Sequence, residues 1–115
     1  MDAGDSRALG GVMIPAVESR KSELAQLCAR RRVKRLAVFG SAAAGDFDPR
    51  TSDVDVLVEF EAMTPAEHAD SYFGLAEDMS ELLGLRVDLV EDPAIKNPFF
   101  RREVERTRVV VYEAA

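Results

Sequence analysis

The sequence predicts an α+β domain, a small mixed sheet of about four strands flanked by helices. Three observations carry that prediction. Short apolar runs of strand character alternate with stretches of helical periodicity, in the order helix, strand, strand, helix, strand, helix, strand. The chain has 115 residues, 47% of them hydrophobic and 31% charged, which suits one modest core. No linker, internal repeat or low-complexity tract divides it, so the reading is a flexible N-terminal arm over 1–13 and a single domain over 14–115.

The first helix is expected from about Pro15 to Arg31, because proline suits a first turn and Leu24, Leu27, Cys28 and Arg31 recur at helical spacing. Val33 to Phe39 reads as a strand. Its run Leu36-Ala37-Val38-Phe39 is continuously apolar, as burial on both faces requires, and Gly40 ends it. A second strand runs from Val54 to Phe60. Val54, Val56, Val58 and Phe60 take the face that packs on helices, and Asp53, Asp55, Leu57 and Glu59 take the other. Between these strands, Gly45, Asp46, Asp48, Pro49, Thr51 and Ser52 have the composition of turns.

Thr64-Pro65-Ala66-Glu67 opens the second long helix with a capping box, and Gly84 stops it. Its expected apolar stripe is Ala69, Tyr72, Phe73, Ala76, Met79, Leu82 and Leu83. Leu85 to Val90 is the third strand, with Arg86, Asp88 and Val90 sharing one face. A short helix follows over about Phe99 to Arg106, and Val109 to Tyr112 is the last strand.

Charge and composition narrow the function. The net charge of −6 disfavours general coating of DNA or RNA, although divalent cations can reconcile such a chain with small nucleotides. A single cysteine, Cys28, excludes an internal disulfide. Neither a membrane-spanning apolar run nor a signal-type N-terminus is present, so a cytoplasmic protein that does not enter a membrane is expected.

The informative pattern is Gly40-Ser41-x3-Gly45-x6-Ser52-Asp53-x-Asp55. A Gly-Ser turn directly after a buried strand leaves backbone N–H groups free. If a helical turn starts there, they point at an anion; glycine admits a phosphate closely and serine adds a hydroxyl. Asp53 and Asp55 lie two apart on one strand face, and two adjacent carboxylates are costly unless a cation lies between them. If the second and third strands are neighbours, Asp88 joins the pair as a third carboxylate. Two hard cations held there would activate an attacking oxygen and stabilise a leaving pyrophosphate.

On these residues, together with Val87-Asp88-Leu89-Val90, the chain resembles the minimal nucleotidyltransferases (MNT) of the polymerase-beta-like nucleotidyltransferase superfamily over roughly residues 20 to 113. That resemblance implies that Asp53 and Asp55 bind two catalytic Mg2+ ions. Asp88 would complete the metal and catalytic set and help activate the acceptor hydroxyl. Gly40, Ser41 and Ser52 would form the nucleotide-binding set, with ATP as substrate. Such proteins commonly pair with a HEPN-domain RNase toxin, which the MNT protein, as antitoxin, silences in some cases by transferring AMP to a tyrosine. Two alternatives stay open: an antitoxin that neutralises its partner by binding alone, and a transferase acting on a small-molecule hydroxyl. Where the family often has a basic residue before the second glycine, this chain has Ala44. Self-association is open as well.

The remaining features have plainer readings. The basic run Arg30 to Arg35 reads as complementing a helix C-terminus, with contact to an acidic partner or RNA as the alternative, and Lys96, Arg101, Arg102, Arg106 and Arg108 read as a solvated face, with neutralising nucleotide phosphates as the alternative. His68 is expected at the surface and Cys28 in the core. Tyr72 and Tyr112 are expected to pack with satisfied hydroxyls. Phe99 and Phe100 belong either to the core or to a partner surface.

Overall fold

The structure, a computed structural model, describes residues 15–44, 47–92 and 95–115. The expected arm over 1–13 and Gly45 of the motif lie outside the described residues. Helices α1 (Pro15–Glu18) and α2 (Lys21–Arg30) precede strand β1 (Val33–Phe39) and a single helical turn, α3 (Ser41–Ala44). Then come β2 (Val54–Phe60), α4 (Pro65–Leu83), β3 (Val87–Glu91), α5 (Pro98–Thr107) and β4 (Val109–Glu113). The sheet order is β3-β2-β1-β4. β1 runs antiparallel to both β2 and β4, whereas β2 and β3 are parallel, joined through the crossover helix α4. The α+β class and the four-stranded mixed sheet are as expected.

Central β1 is apolar on both faces because both faces are covered. On one, Leu36, Val38, Val54, Val56, Val58 and Leu89 pack with Val17, Leu24, Leu27 and Cys28 before β1 and with Leu75 and Met79 of α4. On the other, Ala37, Phe39 and Leu57 pack beneath Val104 of α5. Cys28 is fully buried, and that burial pushes its thiol up to about 12. Tyr72 donates its hydroxyl proton to the Leu89 carbonyl.

Three expectations need correction. The first helix is two helices. Ser19 turns its hydroxyl back to the Ala16 carbonyl, Arg20 N–H bonds Val17 in a tighter turn, and Arg20 restarts the helix as its N-cap, its guanidinium on Glu23. On α4, Ala69 and Phe73 face solvent, Phe73 being 69% exposed, and the buried positions are Ser71, Leu75 and Met79. Tyr72, Ala76, Met79, Leu82 and Leu83 of the expected stripe do pack on the core, and Leu75, one helical turn before Met79, joins them. The third strand starts at Val87, not Leu85. The capping box of Thr64 and Glu67 and the left-handed Gly84 cap, at φ 67°, form as expected.

His68 keeps the expected surface exposure at 40% of its side chain, but it is engaged. It is half-buried, 2.7 Å from Glu91 and edge-on to Phe60. Of the second basic group, Arg101 and Arg108 pair with Asp92 and Arg106 with Glu103, while Arg102 lies over the Phe99 ring.

Candidate active site

The site is built where β1 ends beside the start of β2. Phe39, the last residue of β1, lies opposite Asp55, and Asp55 lies opposite Asp88 across the parallel β2–β3 pair. The second and third strands are neighbours, so the condition under which Asp88 joins Asp55 is met. Gly40 follows with φ 69°, a left-handed conformation that glycine adopts at little cost. A Cβ there would lie 2.6 Å from Asp55 Oδ2. The missing side chain is thus what lets the backbone close over the carboxylate.

The helical turn α3 begins at once with Ser41, anchored by buried Ala42 and Ala43. A turn does start after the Gly-Ser pair, but the Gly40 amide is not a spare donor: it donates to Thr107 Oγ1 at 3.0 Å. The Thr107 hydroxyl in turn donates to the Glu103 carbonyl. Gly40 contributes room, and Ser41 is left as the polar residue of the turn.

Asp53 and Ser52 stand differently. Asp53 Oδ1 accepts from Arg86 Nε at 2.7 Å, while Arg86 Nη2 donates to the Ser52 carbonyl at 3.2 Å. The Ser52 hydroxyl accepts from Asp48 N–H at 3.3 Å, closing the turn that enters β2. Arg86 and Thr107 are the two functional neighbours that sequence reasoning missed. Arg86 had a readable signal: two residues before Asp88, it shares that strand's polar face. Thr107 had none, because its contact with Gly40 spans the chain and depends on how α5 crosses the sheet.

Electrostatics single out Asp55. It is half-buried, and its carboxyl is held above its ordinary value of 3.8 first by that burial, then by the charge of Asp88, then by that of Asp53. Among the described residues neither Asp55 nor Asp88 has a cationic partner, and no three His, Cys, Asp or Glu side chains yet form a group ready to hold a metal. The donor chemistry nonetheless fits a hard divalent cation. Two carboxylates at one register position of adjacent strands repel each other, all their oxygens are of the type Mg2+ prefers, and Asp53, now on Arg86, supplies a third carboxylate two residues before Asp55.

A Gly-Ser turn closing over repelling carboxylates on the first strands of an α+β sheet defines a site suited to nucleotidyl transfer. The family comparison gives the same class. Residues 21–111 match the model of the nucleotidyltransferase domain, so the chain belongs to that family of nucleotidyltransferases. It is 41% identical over 82 residues to a candidate protein adenylyltransferase of Methanocaldococcus jannaschii, MJ0128, covering 70% of this chain and 78% of that one. Among solved structures, it is similar to one described as a candidate minimal nucleotidyltransferase: TM-score 0.62, 33% identity, covering 85% of this chain and 95% of the other. It also shares the fold of a chain in the solved complex of tri-AMPylated Shewanella oneidensis HEPN toxin with an MNT antitoxin. There the TM-score is 0.57 at 16% identity, over 84% of this chain and 72% of that one. Among the described residues no helix is long and apolar enough to cross a membrane.

Proposed function

We propose that this chain moves AMP from ATP to a hydroxyl on a partner protein in a metal-dependent reaction, and that the partner is a HEPN-type RNase toxin silenced by the modification. The observation that carries the reading is the Asp55–Asp88 register pair beside Gly40, with the Asp55 carboxyl raised by burial and by its neighbours. A folded protein keeps two like-charged carboxylates at one register position, without a cationic partner among the described residues, at a cost, and a catalytic site explains that cost. The adenylyl group and the toxin come from the relatives: one is named for protein adenylylation, and another structure joins an MNT antitoxin to an AMPylated toxin.

In this reading Asp53, Asp55 and Asp88 would hold the Mg2+ ions. Bound there, the ions would neutralise the triphosphate and the leaving pyrophosphate. Gly40 leaves space for the phosphates and Ser41 donates to them. Ser52 shapes the turn from which Asp53 projects. The acceptor oxygen forms its bond to the α-phosphorus as the bond to pyrophosphate breaks, and Asp88, the most exposed strand carboxylate of the pair, takes the acceptor proton.

The test is the intact mass of a HEPN partner incubated with this protein, Mg2+ and each NTP in turn. A gain of one or more AMP units with ATP, lost in the Asp53→Asn and Asp55→Asn variants while their circular dichroism is unchanged, is the expected result. A stable complex without any mass gain would instead favour neutralisation by binding. Absence of both gain and complex would move the acceptor to a small molecule.

A further inference from the structure

Arg86 is the one cation that the described residues bring to the carboxylate cluster, and it reaches only the outermost member. Its Nε lies 2.7 Å from Asp53 Oδ1, and its Nη2 is held on the Ser52 carbonyl. Both side chains are about half exposed, at 57% and 49%. The guanidinium therefore satisfies Asp53 from outside the cluster, while Asp55 and Asp88 keep their mutual repulsion. The backbone of Arg86 is separately engaged, its carbonyl accepting from Val54 N–H, so the strand stays in place whatever the side chain does.

We propose that Arg86 is a positioning residue that competes with divalent metal for Asp53. It holds Asp53 out of a three-carboxylate group, and Asp53 joins Asp55 and Asp88 only by exchanging the guanidinium for the cation. The exchange breaks only an exposed contact just ahead of β2 and leaves the β2–β3 ladder paired. A triphosphate offers the released guanidinium a new anion, so cation and nucleotide help each other bind. This rests on the metal-dependent reading above.

The experiment is a Mn2+ titration of the full chain, followed by the electron paramagnetic resonance of free Mn2+, with and without a non-hydrolysable ATP analogue. Without nucleotide, Arg86→Gln binds Mn2+ roughly two- to five-fold more tightly than the unaltered protein, the range an exposed ion pair allows. Arg86→Gln also gains less Mn2+ affinity from the nucleotide analogue, whereas Arg86→Lys, which keeps the charge, stays near the unaltered protein in both respects. Mn2+ affinity that is unchanged or weakened in Arg86→Gln overturns the role of Arg86, while loss of binding in Asp55→Asn in the same series would leave the metal site standing. No Mn2+ binding by the unaltered protein overturns both.

Discussion

The two ends of the parallel pair β2–β3 are built on opposite electrostatic plans. At the C-terminal end each acid within a strand has a cationic or hydrogen-bonding partner. Glu59 meets Arg35 and Lys34, Glu91 meets His68 at 2.7 Å, and Glu113 on β4 meets Arg35 at 3.1 Å. At the N-terminal end Asp55 and Asp88 face each other, partnerless among the described residues, and only Asp53 has a cation. Both ends lie on one small sheet, with the same strands and the same solvent. The difference teaches that this fold can pair its acids and at one end does not. Local rules are broken where a site is kept ready for something that is not part of the chain.

The strongest way to break that contrast is to fill the space that keeps the unpaired end open. In Gly40→Ala the new methyl would meet Asp55 Oδ2 at 2.6 Å, and the residue would have to hold φ 69°. The left-handed conformation alone costs about 1–2 kcal/mol for a residue with a side chain. The carboxylate must also move, which carries transfer activity down with it. Denaturant unfolding should show the loss of stability, and the mass assay a loss of transfer of roughly tenfold or more, since small displacements of reacting groups are costly.

A gentler change acts in opposite directions on stability and activity. The folded protein holds Asp55 above its ordinary 3.8, so the charged form costs stability. That cost is complete above the folded-state value and disappears as pH falls through it toward 3.8. Asp55→Asn removes the charge and with it this part of the pH dependence. The variant should be more stable at neutral pH, by up to about 1 kcal/mol, the scale of like charges on adjacent strands. It should transfer no AMP. Thermal melts at neutral pH and near pH 4 check the sign: the gap between variant and unaltered protein should close at the lower pH.

The paired and unpaired ends differed in how readily the sequence revealed them. Carboxylates at strand spacing announce themselves, and the parity that put Asp53 and Asp55 on one face also put Val54, Val56 and Val58 in the core. The position of Asp88 needed one further fact, that β3 is the parallel neighbour of β2, which the sequence left open and the fold supplies. Gly40 was legible as a turn, but its reason, the approach to Asp55, was not, because it arises only when β1 and β2 pair. Contacts that join distant segments were the least legible. Thr107 reaches Gly40, Arg86 reaches Asp53, and His68 reaches Glu91 across 23 positions. The first helix boundary failed where a polar side chain competes with the backbone, at Ser19, and the α4 stripe, otherwise on the core, was wrong at Ala69 and Phe73, which face out.

The smallest effect belongs to the paired end and sharpens the contrast most. Glu91→Gln keeps a hydrogen-bonding oxygen for His68 and removes only the charge. The pair is part-exposed, 40% for His68 and 28% for Glu91, so its loss should cost less than about 1 kcal/mol. Glu91 sits three residues along β3 from Asp88, beyond Leu89 and Val90, and its register partner is Val58, not Asp55. Changes at separated positions without shared partners act nearly independently. Glu91→Gln should therefore leave AMP transfer and Mn2+ binding as they are while shifting the denaturant midpoint slightly. If transfer instead falls as far as in Gly40→Ala, the two ends of the sheet are coupled, and the division of labour between them is wrong.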